Sequence, residues 1–210
     1  MEILGKLFGS TARVKVIRLF LLNPGQAFSS TDIVSRTEVS AAAVRRELNH
    51  LTNLTLIKRK TVTRQSSKKK KKSEVRFTLN TRFSYLAALQ HLVVDSTPFE
   101  ADTLIRRLGK TGRLKAIVLG GIFKQNQDSS IDLLVVGDHL NKAAVDRVIH
   151  TLESELGSEL RYAVFETSDF SYRLNIYDKL IRDVFDFPHE KILDRIGITY
   201  KTIGLSSPTV

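Results

Sequence analysis

Arg45, Arg46 and Asn49 sit in a stretch where Val44, Leu48 and Leu51 recur at i, i+4 and i+7. That period predicts a helix with one buried stripe, which places the two arginines, the asparagine and Ala42 on the opposite face. These are side chains that can read duplex base edges. A guanidinium bonds a guanine edge through two donors, and an Asn amide does the same to adenine. A small Ala lets the helix approach closely and touch a thymine methyl. Ser40 stands just before the stretch as an N-cap, and the backbone N–H groups behind it suit a phosphate. The same pattern also reads as the exposed face of an ordinary surface helix.

A second group is the run Lys68, Lys69, Lys70, Lys71 and Lys72. Five adjacent ammonium groups repel one another and favour an extended loop. Laid along a nucleic acid they would contact phosphates, raising affinity without reading sequence. A solvated charge run is the alternative. Elsewhere the chemistry is sparse. The five histidines are scattered, and Lys110 to Arg113 lacks the glycine-rich lead of a phosphate loop. No cysteine is present, which excludes disulfides and thiolate metal sites.

The elements that must position these residues follow from periodicity and punctuation. Ser10 caps a helix from Thr11 to Leu22 with one buried face, stopped by Asn23-Pro24-Gly25. Ser29 to Asp32 opens a short helix carrying Ile33 and Val34. Thr37-Glu38-Val39 forms a turn, and a third helix runs from Ala41 to about Asn53. Leu56 to Thr63 and Glu74 to Leu79 read as two strands around a polar loop, Arg64 to Lys72, and so make a hairpin. Phe83 to Val94 reads as one further helix. Ser96-Thr97-Pro98 marks the boundary.

Beyond it, a helix is expected at Ala101 to Leu108, strands at Leu114 to Leu119, Ile131 to Val136 and Leu160 to Phe165, and a helix at Ala143 to Leu156. Phe170 to Phe187 is mostly helical and ends at Pro188, and the tail from Ser206 reads as loose. The fold class is therefore α+β. Residues 1–95 form a helical domain with a hairpin, and residues 96–205 an α/β sandwich with a small mixed sheet.

Charge divides at the same boundary. Residues 1–95 hold eighteen Lys/Arg and six Asp/Glu, while residues 96–210 hold fifteen and sixteen. The whole net charge of +11 thus lies in the first half and points to a polyanion partner for it. Val16 to Leu22 is interrupted by Arg18 and falls far short of the ~20 residues that cross a bilayer. No membrane association is expected. The start of the chain lacks a basic lead into an apolar block, and a cytoplasmic location follows by default.

From about Leu7 to Val94 the chain resembles winged helix-turn-helix transcription regulators, on the order of elements, on Ser40 to Ile57, and on the hairpin. The resemblance implies that the helix starting at Ser40 enters the major groove of double-stranded DNA, with Lys68 to Lys72 at the wing tip. One departure is Thr55, where such regulators often carry Gly. A β-branched residue tolerates left-handed backbone poorly, so the turn there is expected to differ.

Gly120-Gly121, a polar loop and Ser129-Ser130-Ile131-Asp132 resemble the minimal nucleotidyltransferases of the DNA polymerase beta superfamily. That family carries Gly-Ser and then Asp-x-Asp. Two carboxylates at i and i+2 share one face of a strand and hold paired Mg²⁺ ions, with a third carboxylate from a neighbouring strand. Here Gly121 replaces the Ser, Ser130 replaces the first Asp, and Asp132 alone survives. Only Glu166, at the end of the third strand, could serve as the third carboxylate. One carboxylate beside a hydroxyl is a poor seat for hard divalent ions. No catalytic or metal residue is therefore assigned.

The reading is a DNA-binding transcriptional regulator whose nucleotidyltransferase-like domain serves as a sensor, partner-binding or dimerisation module. A nucleotide or protein effector and a homodimer, with Phe83 to Val94 as the candidate interface, are its expected partners. Two alternatives stand beside it. One is an active nucleotidyltransferase of toxin–antitoxin type, which alone would require Mg²⁺ and ATP. The other is an RNA-binding or structural module.

Overall fold

A computed structural model describes residues 2–65, 71–95, 100–126 and 128–200. It is an α+β fold of helices and two small sheets. The chain divides into two compact units. The first comprises Met1–Pro98 with His150–Glu159, and the second Phe99–Ile149 with Leu160–Val210. The tail expected to be loose from Ser206 lies outside the described residues.

The first unit runs α1 (Glu2–Leu7), α2 (Thr11–Leu22), β1 (Phe28–Ser29), α3 (Ser30–Thr37), α4 (Ala41–Asn53), β2 (Ile57–Gln65), β3 (Lys71–Leu79) and α5 (Leu86–Gln90), with a π-helical turn at His91–Asp95. Ser10 caps α2 by accepting from the Arg13 N–H at 3.1 Å. Ser29 and Asp32 cap α3 reciprocally, each side chain taking the other's backbone N–H. α2 is buried on nearly every side, with Val14, Val16, Ile17, Leu19, Phe20 and Leu21 all in the core, so the expected single face understates it. Ile33, Val44, Leu48, Leu51, Ile57 and Phe77 complete that core.

β1, β3 and β2 form an antiparallel sheet in that order. Of the expected polar loop from Arg64 to Lys72, Arg64, Gln65, Lys71 and Lys72 are strand, and residues 66–70 lie outside the described residues. Pairing runs without a register shift from Ile57↔Leu79 out to Gln65↔Lys71, so Lys71 and Lys72 belong to a strand. The β-branched run Thr61-Val62-Thr63 favours that extension. The expected helix from Phe83 to Val94 also begins late. Asn80 takes the Arg82 N–H on its side-chain oxygen and the Phe83 N–H on its carbonyl, which holds the chain in a turn. At Thr55 the backbone is left-handed, φ +61°, so the β-branched residue does not change the turn as expected.

Residues His150–Glu159 join this unit through buried polar groups. Arg18, 5% exposed, donates to the carbonyl oxygens of Val93 at 3.0 Å and Glu155 at 2.7 Å. Asn23 donates to the carbonyl of Gly157 at 2.8 Å. Gly157 has φ +87°, and a Cβ there would stand 2.6 Å from the Arg18 carbonyl carbon.

The second unit contains α6 (Ala101–Gly109), β4 (Arg113–Leu119), a 3₁₀ turn at Gly121–Lys124, β5 (Leu133–Asp138), the start of α7 (Lys142–Leu156), β6 (Tyr162–Phe165), α8 (Thr167–Asn175), α9 (Lys179–Asp186) and β7 (Glu190–Asp194). The sheet order is β6-β5-β4-β7, with β5 and β6 parallel and the other pairs antiparallel. The span expected to be mostly helical, Phe170 to Phe187, breaks between α8 and α9, where Tyr177 takes φ +53°. β7 had no alternating pattern to announce it. Its pairing with β4 makes it a strand. No helix among the described residues is long and apolar enough to cross a membrane.

Candidate functional site

Two clusters of the residues singled out by sequence are placed by these elements. The first is the outer side of α4. Ser40 caps the helix, accepting the Ala43 N–H at 3.4 Å. Val44, Leu48 and Leu51 are buried, while Ala42, Arg45, Arg46 and Asn49 are exposed. Arg45, Arg46 and Asn49 have no side-chain partner among the described residues. Four groups spaced over two turns of one helix therefore face solvent together.

Sequence reasoning missed what fixes that helix. Glu47 is 2% exposed and accepts from Ser10 Oγ at 2.9 Å and from Arg13 Nε at 2.8 Å. Arg13 also donates to the Phe8 carbonyl at 2.9 Å. A buried carboxylate is tolerated only when paired in this way, and the pair ties α4 to the start of α2. An open cleft of about 780 Å³ adjoins it, with Lys6, Ser10, Arg13 and Arg46 on its walls.

The β2–β3 hairpin carries the rest of the charge. Lys58, Arg59, Lys60, Thr61 and Val62 are all exposed. Directly opposed residues share a face, so Lys58 and Lys60 lie with Thr78 and Arg76, while Ile57 lies with buried Leu79. Arg76 is engaged by Glu74 at 2.9 Å and the Ala27 carbonyl at 2.9 Å. Lys58 and Lys60 have no ionic partner among the described residues. Of the five consecutive lysines, Lys68, Lys69 and Lys70 lie outside the described residues, and Lys71 and Lys72 are placed as backbone of β3. Two cations at i and i+2 of a strand were the available signal for Lys58 and Lys60.

The second cluster surrounds Asp132, which is 2% exposed. Its Oδ1 accepts from the Ile122 N–H at 2.9 Å and Arg161 Nη2 at 2.9 Å. Its Oδ2 accepts from the Arg161 N–H at 2.8 Å and Arg161 Nε at 3.0 Å. A carboxylate offers about four lone-pair sites, and four donors occupy them. Burial alone would raise the Asp132 carboxyl, but the bonds from Arg161 and from the two backbone N–H groups outweigh it and hold it below the usual carboxylate range. The same pairing raises Arg161.

Gly121 is the reason this geometry fits. Its φ is +45°, and a Cβ there would fall 1.9 Å from Asp132 Oδ1. The Ser implied at that position by the resemblance is therefore incompatible with this placement of Asp132. Gly120 donates its N–H to the Asp132 carbonyl at 2.9 Å. Ser130 points elsewhere, donating to Asp183 Oδ2 at 2.7 Å on the surface. Glu166 does not approach Asp132. β5 and β6 pair in parallel from Leu133↔Tyr162 to Val136↔Phe165, so Arg161 falls beside Asp132. Glu166 falls five residues further on, roughly 16 Å along the strand, before the first turn of α8. The position that faces Asp132 is thus held by a guanidinium. The signal for Arg161 was its place at the start of the third strand, just ahead of β6, legible only once the parallel register is known.

Among the described residues no group of three or more His, Asp or Glu side chains comes together as a metal site. No protein family, curated protein or solved structure matches the chain.

Proposed function

We propose that this chain is a DNA-binding transcriptional regulator, with a winged helix-turn-helix in its first unit and a nucleotidyltransferase-like second unit that has lost phosphoryl-transfer chemistry. In this reading α3 and α4 are the two helices of the motif, α4 is the recognition helix, and the β2–β3 hairpin is the wing. The observation that carries it is the exposed row Ala42, Arg45, Arg46 and Asn49 on a helix whose other side is fixed by Leu48, Leu51 and the Glu47–Arg13 pair. Lys58 and Lys60 give the hairpin a cationic face suited to phosphates. The cleft beside Arg46 offers a flanking phosphate a further place.

The second unit serves as a sensor, partner-binding or dimerisation module, and the protein acts as a homodimer in the cytoplasm. Full engagement of the Asp132 carboxylate by Arg161 and the Ile122 N–H speaks against a role in holding Mg²⁺. Selection of bound sequences from a random duplex pool, followed by titration of the winner and a scrambled duplex, tests the reading. A preference of about a thousandfold is expected of a specific reader. Equal affinity for both duplexes at physiological salt would overturn it.

A further inference from the structure

The turn between α3 and α4 is short and locally unfavourable. Thr37 ends α3, Glu38 follows with φ +52°, and Ser40 already caps α4. Turns of this kind often use Gly. A glutamate in left-handed backbone persists only where the surroundings over-determine it. Those surroundings come from residues His150–Glu159, far away in sequence but part of the same compact unit.

Ser154 is the centre of the arrangement and is fully buried. Lys15 Nζ donates to Ser154 Oγ at 3.0 Å and to the Thr37 carbonyl oxygen at 3.0 Å. The single proton of the Ser154 hydroxyl is shared between the Thr151 carbonyl at 2.8 Å and Glu38 Oε2 at 3.1 Å. The other oxygen of that carboxylate, Glu38 Oε1, lies 3.1 Å from His150 Nδ1. Arg36, in the last turn of α3, pairs with Glu159. The last carbonyl of α3 and both oxygens of its C-cap side chain are therefore held through one short segment. The segment is itself anchored by Arg18 on the Glu155 carbonyl and Asn23 on the Gly157 carbonyl.

We infer that residues 150–159 are a positioning strap for the DNA-reading helix. By fixing Glu38 through Ser154 and His150, and Thr37 through Lys15, they set the angle at which α4 leaves the turn. This rests on the reading of α4 as the recognition helix. None of these residues belongs to the exposed row on α4, so the strap acts on affinity through geometry. Side chains on the row must meet base edges within hydrogen-bonding tolerance. A small rotation of α4 misaligns all of them at once.

The full chain carrying Glu38→Ala, Ser154→Ala, both together, or Glu38→Gln tests the strap against the preferred duplex. Each Ala variant should weaken binding at least about fivefold, since each loses the Ser154–Glu38 bond and a further contact. The double variant should fall short of the product of the two losses, because both changes remove the Ser154–Glu38 bond. Glu38→Gln keeps polar atoms at both ends and should bind nearly as the parent does. The salt dependence should be unchanged in all four, since no phosphate contact is lost.

Parent-like binding by both Ala variants would overturn the inference, as would weakening matched by an equal loss with Glu38→Gln. Amide hydrogen exchange at Val39 to Ala41 separates the strap from the DNA reading. Faster exchange in Ser154→Ala keeps the strap even if no duplex is preferred, and unchanged exchange removes it even if DNA binds well.

Discussion

The side-chain amide of Asn80 donates to the carbonyl oxygen of Thr55 at 2.7 Å, bridging the exit of α4 to the exit of β3. The Asn80 N–H reaches the Leu56 carbonyl at 2.8 Å beside it. Together these bonds hold Thr55 at φ +61°, where an L side chain crowds the following carbonyl. Relief of that crowding is worth about 1–2 kcal/mol, and the added chain entropy of glycine takes back about 0.5–1 kcal/mol. Thr55→Gly should therefore raise stability by roughly 0.5–1 kcal/mol, measured by urea denaturation. Asn80→Ala should lower it by about 1 kcal/mol.

Breaking the Asp132–Arg161 pair should unfold the second unit more readily. Asp132→Ala leaves a guanidinium and two backbone N–H groups without their acceptor. Arg161 is half exposed, so the loss sits at the low end for such pairs, about 3 kcal/mol. Mg²⁺ at millimolar concentration should leave the parent's Tm unmoved. A clear Mg²⁺-dependent rise would show that the carboxylate exchanges Arg161 for a metal ion.

Stability should fall steeply in acid. The Asp132 carboxyl is held below its ordinary 3.8 against the opposing effect of burial. Asp194 is lowered likewise, against its burial, by the N–H groups of Ile198, Gly197 and Ile196. A depressed carboxyl stabilises the fold above its unfolded pKa, and that contribution is lost as pH falls through the folded value. Urea midpoints should thus be flat above about pH 5 and drop below about pH 4. Asp132→Asn should flatten that acid limb while lowering the neutral plateau.

The two kinds of cation should separate in binding experiments. Arg45→Ala should weaken the preferred duplex by about 1–3 kcal/mol and leave a scrambled one little changed. Lys60→Ala should weaken both alike and reduce the log–log salt slope by about one. Equal effects of the two variants on both duplexes would remove Arg45 from sequence reading.

Much of this architecture was legible in order and type. The stripe Val44, Leu48 and Leu51 placed α4 correctly and left Arg45, Arg46 and Asn49 exposed, because helical period translates directly into facing. Glu47 was illegible for a related reason. A carboxylate among polar neighbours looks solvated, and only tertiary packing brings Ser10 and Arg13 onto it. Thr55 misled because intrinsic preference argued against a backbone that Asn80 enforces from a distance. Arg161 and Glu166 exchanged importance once the parallel register fixed which end of β6 lies beside Asp132. The extra strand β7 is short and partly charged, so nothing local separates it from a loop.

The second half of α7 packs with the N-terminal elements although the first half is counted with the other unit. The polypeptide consequently passes from one unit to the other three times, after residues 98, 149 and 159. A gene fragment ending at the apparent border would leave Arg18 with the Val93 carbonyl and Asn23 with that of Leu19, the Glu155 and Gly157 carbonyls being lost. Shuffling or expressing the N-terminal unit by itself therefore means carrying residues 150–159 along with it, grafted back from beyond the border.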